Sequence, residues 1–336
     1  MPIIEPRWVY GVKGGHLDVR LSDQSPDLIV TVRTGSRERL IRLDRKGEPV
    51  GSELQLPGVL RSIAPEGQRF LVVAPEQAWV IDSSGRTLWH GETGSGKGAM
   101  SVHLLPDGET LVMALLTEML EGVRTVALDL SGRTLWTLEG AEAGELARAS
   151  DEELFFWNDH ALWRMSWQGE DRKDILVGDQ RQGSISISAD GSTIALLRET
   201  KGRIYDREGR ILAELPGGWR ADMSRDGRRI LVAHGDDSYT MVNREGQPLW
   251  NLELSQEPVD TELDPDGSFF VTATPSQDGG RLRVDLYDES GRLVWQSNVS
   301  LPSEDRNRVP RVGVSADLGL LYLVTGSQVM AWELSQ

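Results

Sequence analysis

Apolar residues alternate with polar ones along almost the whole chain, in short runs such as RLIRL, VRTVAL and LRVDLY, and the alternation is broken at regular intervals by turn residues. A period of two is the signature of half-buried β-strands. The breaks fall into two kinds. The first is DLSGRTLW from Asp129 to Trp136, with versions DSSGRTLW at Asp82, DREGRILA at Asp206, NREGQPLW at Asn243, DESGRLVW at Asp288 and a poorer DRKGEPVG at Asp44. A further degenerate copy is WQGEDRKDIL from Trp167. An Asp or Asn at the first position bonds backbone two residues on, and a Gly three further takes the positive φ of a three-residue hairpin loop with a bulge. Asp82, Gly85, Asp129, Gly132, Asp206, Gly209, Asn243, Gly246, Asp288 and Gly291 are therefore structural, and Trp89, Trp136, Trp250 and Trp295 are expected to fill the space between neighbouring sheets.

The second kind of break alternates with the first. It is APEG at Ala64, LPDG at Leu105, SADG at Ser188, SRDG at Ser224 and DPDG at Asp264, with weaker forms at Ser22, Ser150 and Ser315. Each precedes an apolar run of strand composition such as FLVVA, LVMAL or FFVTA. The repeating unit is thus four strands, A to D, with one turn joining A to B and the other joining C to D. Strands A starting near His16, Leu60, Met100, Leu146, Ser184, Trp219, Val259 and Arg311 are about 35 to 52 residues apart, which is the period of a four-stranded propeller blade. The expected fold is an all-β β-propeller, with eight four-stranded blades favoured over seven. Residues 1–6 form an N-terminal tail and 7–336 a single domain. The last repeat supplies only three strands, so RWVYGV from Arg7 to Val12 is expected to add the fourth and close that blade, removing a bare sheet edge.

Composition narrows the classes. No segment approaches 18 consecutive apolar residues, so no membrane insertion is expected. MPIIEPRW lacks the basic and apolar regions of a signal peptide, and the expectation is a cytoplasmic protein, or an exported one if a leader has been removed. The absence of Cys excludes disulfides and thiolate chemistry. The net charge of -16 disfavours nucleic acid as a partner, because phosphates would be repelled.

Candidate chemistry is sparse. GETGSGKG from Gly91 has the Gly and Lys spacing of a phosphate loop, but Gly98 stands where Ser or Thr must hold magnesium, and a strand follows instead of a helix. The five His, at 16, 90, 103, 160 and 234, lie in different repeats with no metal-ligand spacing. DPDGS at Asp264 and GDDS at Gly235 lack the acidic ladder of a calcium loop. No cofactor, no metal and no catalytic residue is assigned. Trp157, Trp163 and Trp167 with Phe155 and Phe156 suggest either a ligand platform or, as the preferred account, packing between sheets. The long charged insertions all connect B to C or D to A, which places them on one side of a propeller, where binding loops are normally grafted. Lys97, Glu118, Glu121, Arg181, Asp278, Arg306 and Arg308 are the candidate binding residues there.

VALDLSGRTLWTLEG, WVIDSSGRTLWHGETG and VDLYDESGRLVWQ resemble the tryptophan-docking repeat of PQQ-type eight-bladed propellers, and SADG and SRDG resemble the A-to-B turns of WD40-like and TolB-like propellers. The resemblance implies fold across the whole chain. The quinone-dependent dehydrogenases of that group carry a vicinal cysteine pair and a calcium site, neither of which has a counterpart here. The other branch resembles the outer-membrane assembly scaffold, a lipoprotein that works by binding proteins, although its lipidated Cys is absent. The expected function is a monomeric, non-enzymatic scaffold presenting one loop-rich face to a protein or peptide. The alternative is a propeller lyase or hydrolase acting on a saccharide or lactone at the channel mouth.

Overall fold

The computed structural model describes residues 5–12, 15–20, 27–35, 37–93, 99–116, 123–140, 143, 145–150, 153–158, 161–177, 183–235, 237–276, 280–305, 309–315 and 319–334. These residues form eight four-stranded antiparallel sheets, each joined in the order A-B-C-D, which makes the fold an eight-bladed β-propeller. The A strands are His16–Arg20, Val59–Ile63, Ala99–Leu104, Glu145–Ala149, Ser184–Ile187, Arg220–Met223, Asp260–Leu263 and Arg311–Ser315. All eight begin within two residues of the positions expected from the repeat. The last sheet is completed by Trp8–Gly11, which pairs with Gln328–Glu333 through Trp8↔Ala331, Val9↔Met330, Tyr10↔Val329 and Gly11↔Gln328.

Two compact units account for the chain. One comprises residues 1–19, 43–48 and 182–336, and contains blades 5 to 8. The other comprises 20–42 and 49–181, and contains blades 2 to 4 with most of blade 1.

The C-to-D turns are built as their residue types require. At Asp129, Oδ1 accepts from the backbone N–H of Ser131 and Arg133, the Ser131 hydroxyl donates to the same oxygen, and Arg133 Nε donates to Oδ2 at 3.1 Å. The same set recurs at Asp82 and Asp288. At Asp82 the donors, Ser84 first, hold the carboxyl down to about 2, because each favours its ionised form. Beyond the turn the register slips by one residue in blades 2, 3 and 7; in blade 3 Leu128 pairs with Thr134 but Ala127 with Trp136, which leaves Leu135 as an extra, bulged residue on strand D. In the degenerate copy the turn begins one residue earlier than expected. Ser166 takes the Asp position, its carbonyl accepting from Gly169 N–H and its hydroxyl from Glu170 N–H.

The Trp that ends one repeat lies against the turn Gly of the next. Trp250 Nε1 donates to Glu289 O at 3.1 Å, and a Cβ at Gly291 would fall 2.7 Å from the Trp250 ring. Trp136 is partly buried and donates to Trp167 O at 2.8 Å over Gly169, and Trp8 donates to Arg45 O at 3.0 Å over Gly47. Blade 5 ends in Ala213 instead of Trp, and Gly246 packs on that methyl group. The repeat is therefore a lock between neighbouring sheets: the indole needs a flat surface and a carbonyl acceptor, and only a Gly with positive φ offers both. The cores lie between sheets. One, for example, joins Val271, Val284 and Leu286 of blade 7 to Val312, Leu321 and Trp332 of blade 8.

Candidate functional site: a cleft between blades 6 and 7

Strands A of blades 5, 6, 7 and 8 run side by side. Residues two apart on a strand share a face, so Arg220 and Asp222 of blade 6 form one pair and Asp260 and Glu262 of blade 7 another. Arg220 grips Asp222 with both nitrogens, Nε to Oδ1 at 3.1 Å and Nη2 to Oδ2 at 2.9 Å. Asp260 Oδ2 accepts the backbone N–H of Val312 at 2.8 Å. Burial pushes the carboxyls of Asp222 and Asp260 upward, against the pull of these partners. Glu262 is pushed furthest, up to about 8, by burial first and then by the charges of Asp260 and Asp222. At neutral pH it therefore keeps its proton. Tyr322, on strand B of blade 8, is raised well above the ordinary phenol range by burial and by the neighbouring Glu262, Asp18 and Asp260.

Beside this acidic surface is a cavity of about 240 Å³, lined by residues of blades 6 and 7. Its apolar wall includes Leu231, Ala233 and Val259, and its polar wall Arg220, Asp222, Glu257 and Asp260. Trp219 stands at its edge with 63% of its surface exposed, the one exposed Trp of the eleven in the chain.

The segment carrying Trp219 is held firmly. Trp219 N–H donates to Ala233 O at 2.8 Å and Gly218 N–H to Arg198 O at 3.0 Å. His234 Nδ1 donates to Gly217 O at 2.8 Å, since a carbonyl only accepts, and Nε2 lies 2.8 Å from Thr240 Oγ1, itself 2.8 Å from Asn251 Oδ1. A side chain at Gly218 would strike Ala233 O at 2.7 Å, so the Gly-Gly pair is what lets the linker pass this close to strand B. The exposed ring thus projects from a fixed backbone.

The seven loop residues nominated from the sequence, Lys97, Glu118, Glu121, Arg181, Asp278, Arg306 and Arg308, all lie outside the described residues, as does the centre of the phosphate-loop lookalike. The strands that flank that lookalike are Thr87–Glu92 and Ala99–Leu104. The cleft is nevertheless formed by connections of the kind expected to carry function: the D-to-A linkers that end in Trp219 and Val259, and the B-to-C connection at Gly235. Three of blade 4's aromatics belong to the core, while Trp157 and Trp167 are partly buried. Phe155, Phe156 and Trp163 are fully buried, and Phe156 stacks on Trp163 with ring centroids 5.9 Å apart. His103 lies on strand A of blade 3 with its basicity lowered by burial, and His90 stacks on Trp79. Among the described residues no three His, Asp or Glu side chains are grouped to hold a metal ion. The sequence pattern places Trp219 at the start of strand A; in the structure it lies one residue ahead of Arg220–Met223, at the end of the D-to-A linker.

Repeat, blade count and tryptophan lock define a β-propeller of the PQQ-like and WD40-like kind. A family model described as outer membrane protein assembly factor BamB matches residues 156–336, more than half of the chain, and the chain belongs to that family. No curated protein matches it in sequence. Solved structures agree in fold. The C-terminal WD40 domain of Sif2 is 11% identical and superposes with a TM-score of 0.69, all of each chain being covered. The Dos1 propeller is 14% identical with a TM-score of 0.65, over 99% of this chain and 95% of that one.

Proposed function

We propose that this chain is a non-enzymatic binding propeller that docks a protein or peptide on the side bearing its D-to-A and B-to-C connections, with the blade 6–7 cleft at the centre of the contact. The observation that carries this reading is Trp219, exposed on a hydrogen-bonded linker beside a cavity that has both apolar and charged walls. Trp is the residue type most enriched among the few side chains that dominate binding energy, and a fixed backbone lowers the ordering cost of using it. Membership of a family described as an assembly factor supports a role exercised on other proteins.

The test is selection of a random peptide library on the immobilised full chain, followed by competition between wild type and Trp219→Ala. Peptides that bind wild type and lose about tenfold or more in affinity on Trp219→Ala support the proposal. Enrichment of no peptide, or only of peptides indifferent to Trp219→Ala, refutes it.

A further inference from the structure

We infer that the blade 6–7 cleft receives a single basic side chain, the guanidinium of Arg or the ammonium of Lys, from the docked partner. The inference rests on the binding reading above and assigns the chemistry of its anchor.

Size is the first ground. A cavity of about 240 Å³ is smaller than the roughly 300–1,000 Å³ of sites that enclose a whole small molecule, and suits one long side chain.

Charge is the second. The lining holds one cation, Arg220, against three carboxylates, Asp222, Glu257 and Asp260. Arg220 is committed to Asp222 through two contacts, so its charge is already matched. Asp260 accepts backbone N–H groups, Val312 among them, and feels the charges of Arg311 and Arg220, and Glu257 is exposed at the rim. A second anion entering here would face this excess, whereas a cation would relieve it. Burial raises the Asp222, Asp260 and Glu262 carboxyls, and at Glu262 the charges of Asp260 and Asp222 add to it, so the surface beside the cleft is acidic and partly desolvated.

The third ground is the mixture of surfaces. Arg and Lys need an apolar channel for the methylene stem and polar groups for the head. Leu231, Ala233, Pro258 and Val259 supply the first. Trp219 adds an exposed π-face of the kind that attracts cations, Trp being the strongest of the aromatic residues in this respect. A neutral or acidic anchor would use the apolar wall and waste the rest.

The experiment is a fluorescence titration of the full chain with three capped pentapeptides, Gly-Gly-X-Gly-Gly, in which X is arginine, citrulline or glutamate. Citrulline keeps the shape of arginine and removes its charge. The expected result is a saturable change in tryptophan emission with the arginine peptide, absent in Trp219→Phe, and about tenfold weaker binding of the citrulline and glutamate peptides. The double variant Glu257→Gln, Asp260→Asn should bring arginine down to the level of citrulline, while an unchanged melting temperature shows that it is folded. Equal binding of arginine and citrulline, preference for glutamate, or no response to any of the three overturns the inference, as does a Trp219-dependent dimer of the chain itself. The two proposals fail separately: Trp219-dependent library peptides without a basic residue leave the binding reading standing and remove this one, and a library that yields nothing removes both.

Discussion

If Trp8–Gly11 is the strand that closes blade 8, removing residues 1–12 should weaken the fold by an amount set mainly by one indole ring. The strand pairs with Gln328–Ala331 over four positions, flanked by Arg7 N–H to Ala331 O at 2.7 Å and Val12 N–H to Ser327 O at 3.0 Å. These main-chain bonds contribute about 0.5–1.5 kcal/mol each, and ordering the same residues costs about 1–2 kcal/mol apiece, so the ladder nearly cancels. The surplus comes from side chains. Trp8 is half buried over Gly47, which at about 25 cal/mol per Å² over roughly 100 Å² is about 2.5 kcal/mol, and its Nε1 bond to Arg45 O adds about 1 kcal/mol. Trp8→Ala should therefore cost about 3 kcal/mol and the deletion slightly more, since it also bares the edge of Gln328–Glu333 with the side chains of Val329 and Met330 beside it. The deletion should further associate on concentration, and Trp8→Ala should not, because its edge remains paired. The assays are urea unfolding followed by circular dichroism, and light scattering across a concentration series. A deletion variant with the wild-type urea midpoint and no association would refute the reasoning, and with it the account of how the last blade is completed.

The tryptophan lock predicts a graded series: Trp250→Ala, where the ring is buried, should cost about 3–5 kcal/mol, and Trp136→Ala, where it is only partly buried, about 2–3 kcal/mol. Equal losses in urea unfolding would argue against burial as the cause. Glu262 holds its proton up to about pH 8 in the fold but loses it near its ordinary 4.5 when unfolded, so the native state binds the extra proton and stability falls as pH rises between those values. That interval sets a ceiling of about 5 kcal/mol, which partial exposure reduces to an effect on the order of 2 kcal/mol. Glu262→Gln should accordingly raise the melting temperature at pH 8–9 and leave it little changed at pH 5, and a gain independent of pH would show that the carboxyl does not titrate in this window. His234→Ala removes two hydrogen bonds that pin the Trp219 linker and should cost about 1–2 kcal/mol in chemical unfolding while weakening any Trp219-dependent peptide more than it weakens the fold; binding unaffected by the change would mean the linker is held without it.

The repeat determined the fold almost unaided. Period-two patterning, two alternating turn signatures and a spacing of about 42 residues specify four-stranded blades, because each turn is a local structure whose Asp and Gly carry their own reasons. Trp8 at the start of the chain and the three-strand remnant at its end were legible for the same reason, as one repeat cut in two. The site was legible only in kind. A long charged loop marks where a partner can be met, but pattern alone attaches no geometry to Lys97 or Arg306. Trp219 looked like the start of another strand. Its exposure, its fixed backbone and its nearness to Asp222, Asp260 and Glu257 arise between two blades about 40 residues apart in sequence, where a Gly-Gly pair lets one linker press against strand B and carboxylates from two A strands and a second linker line one cavity. Such convergence depends on how sheets pack, and side-chain packing between distant segments leaves no period in the sequence.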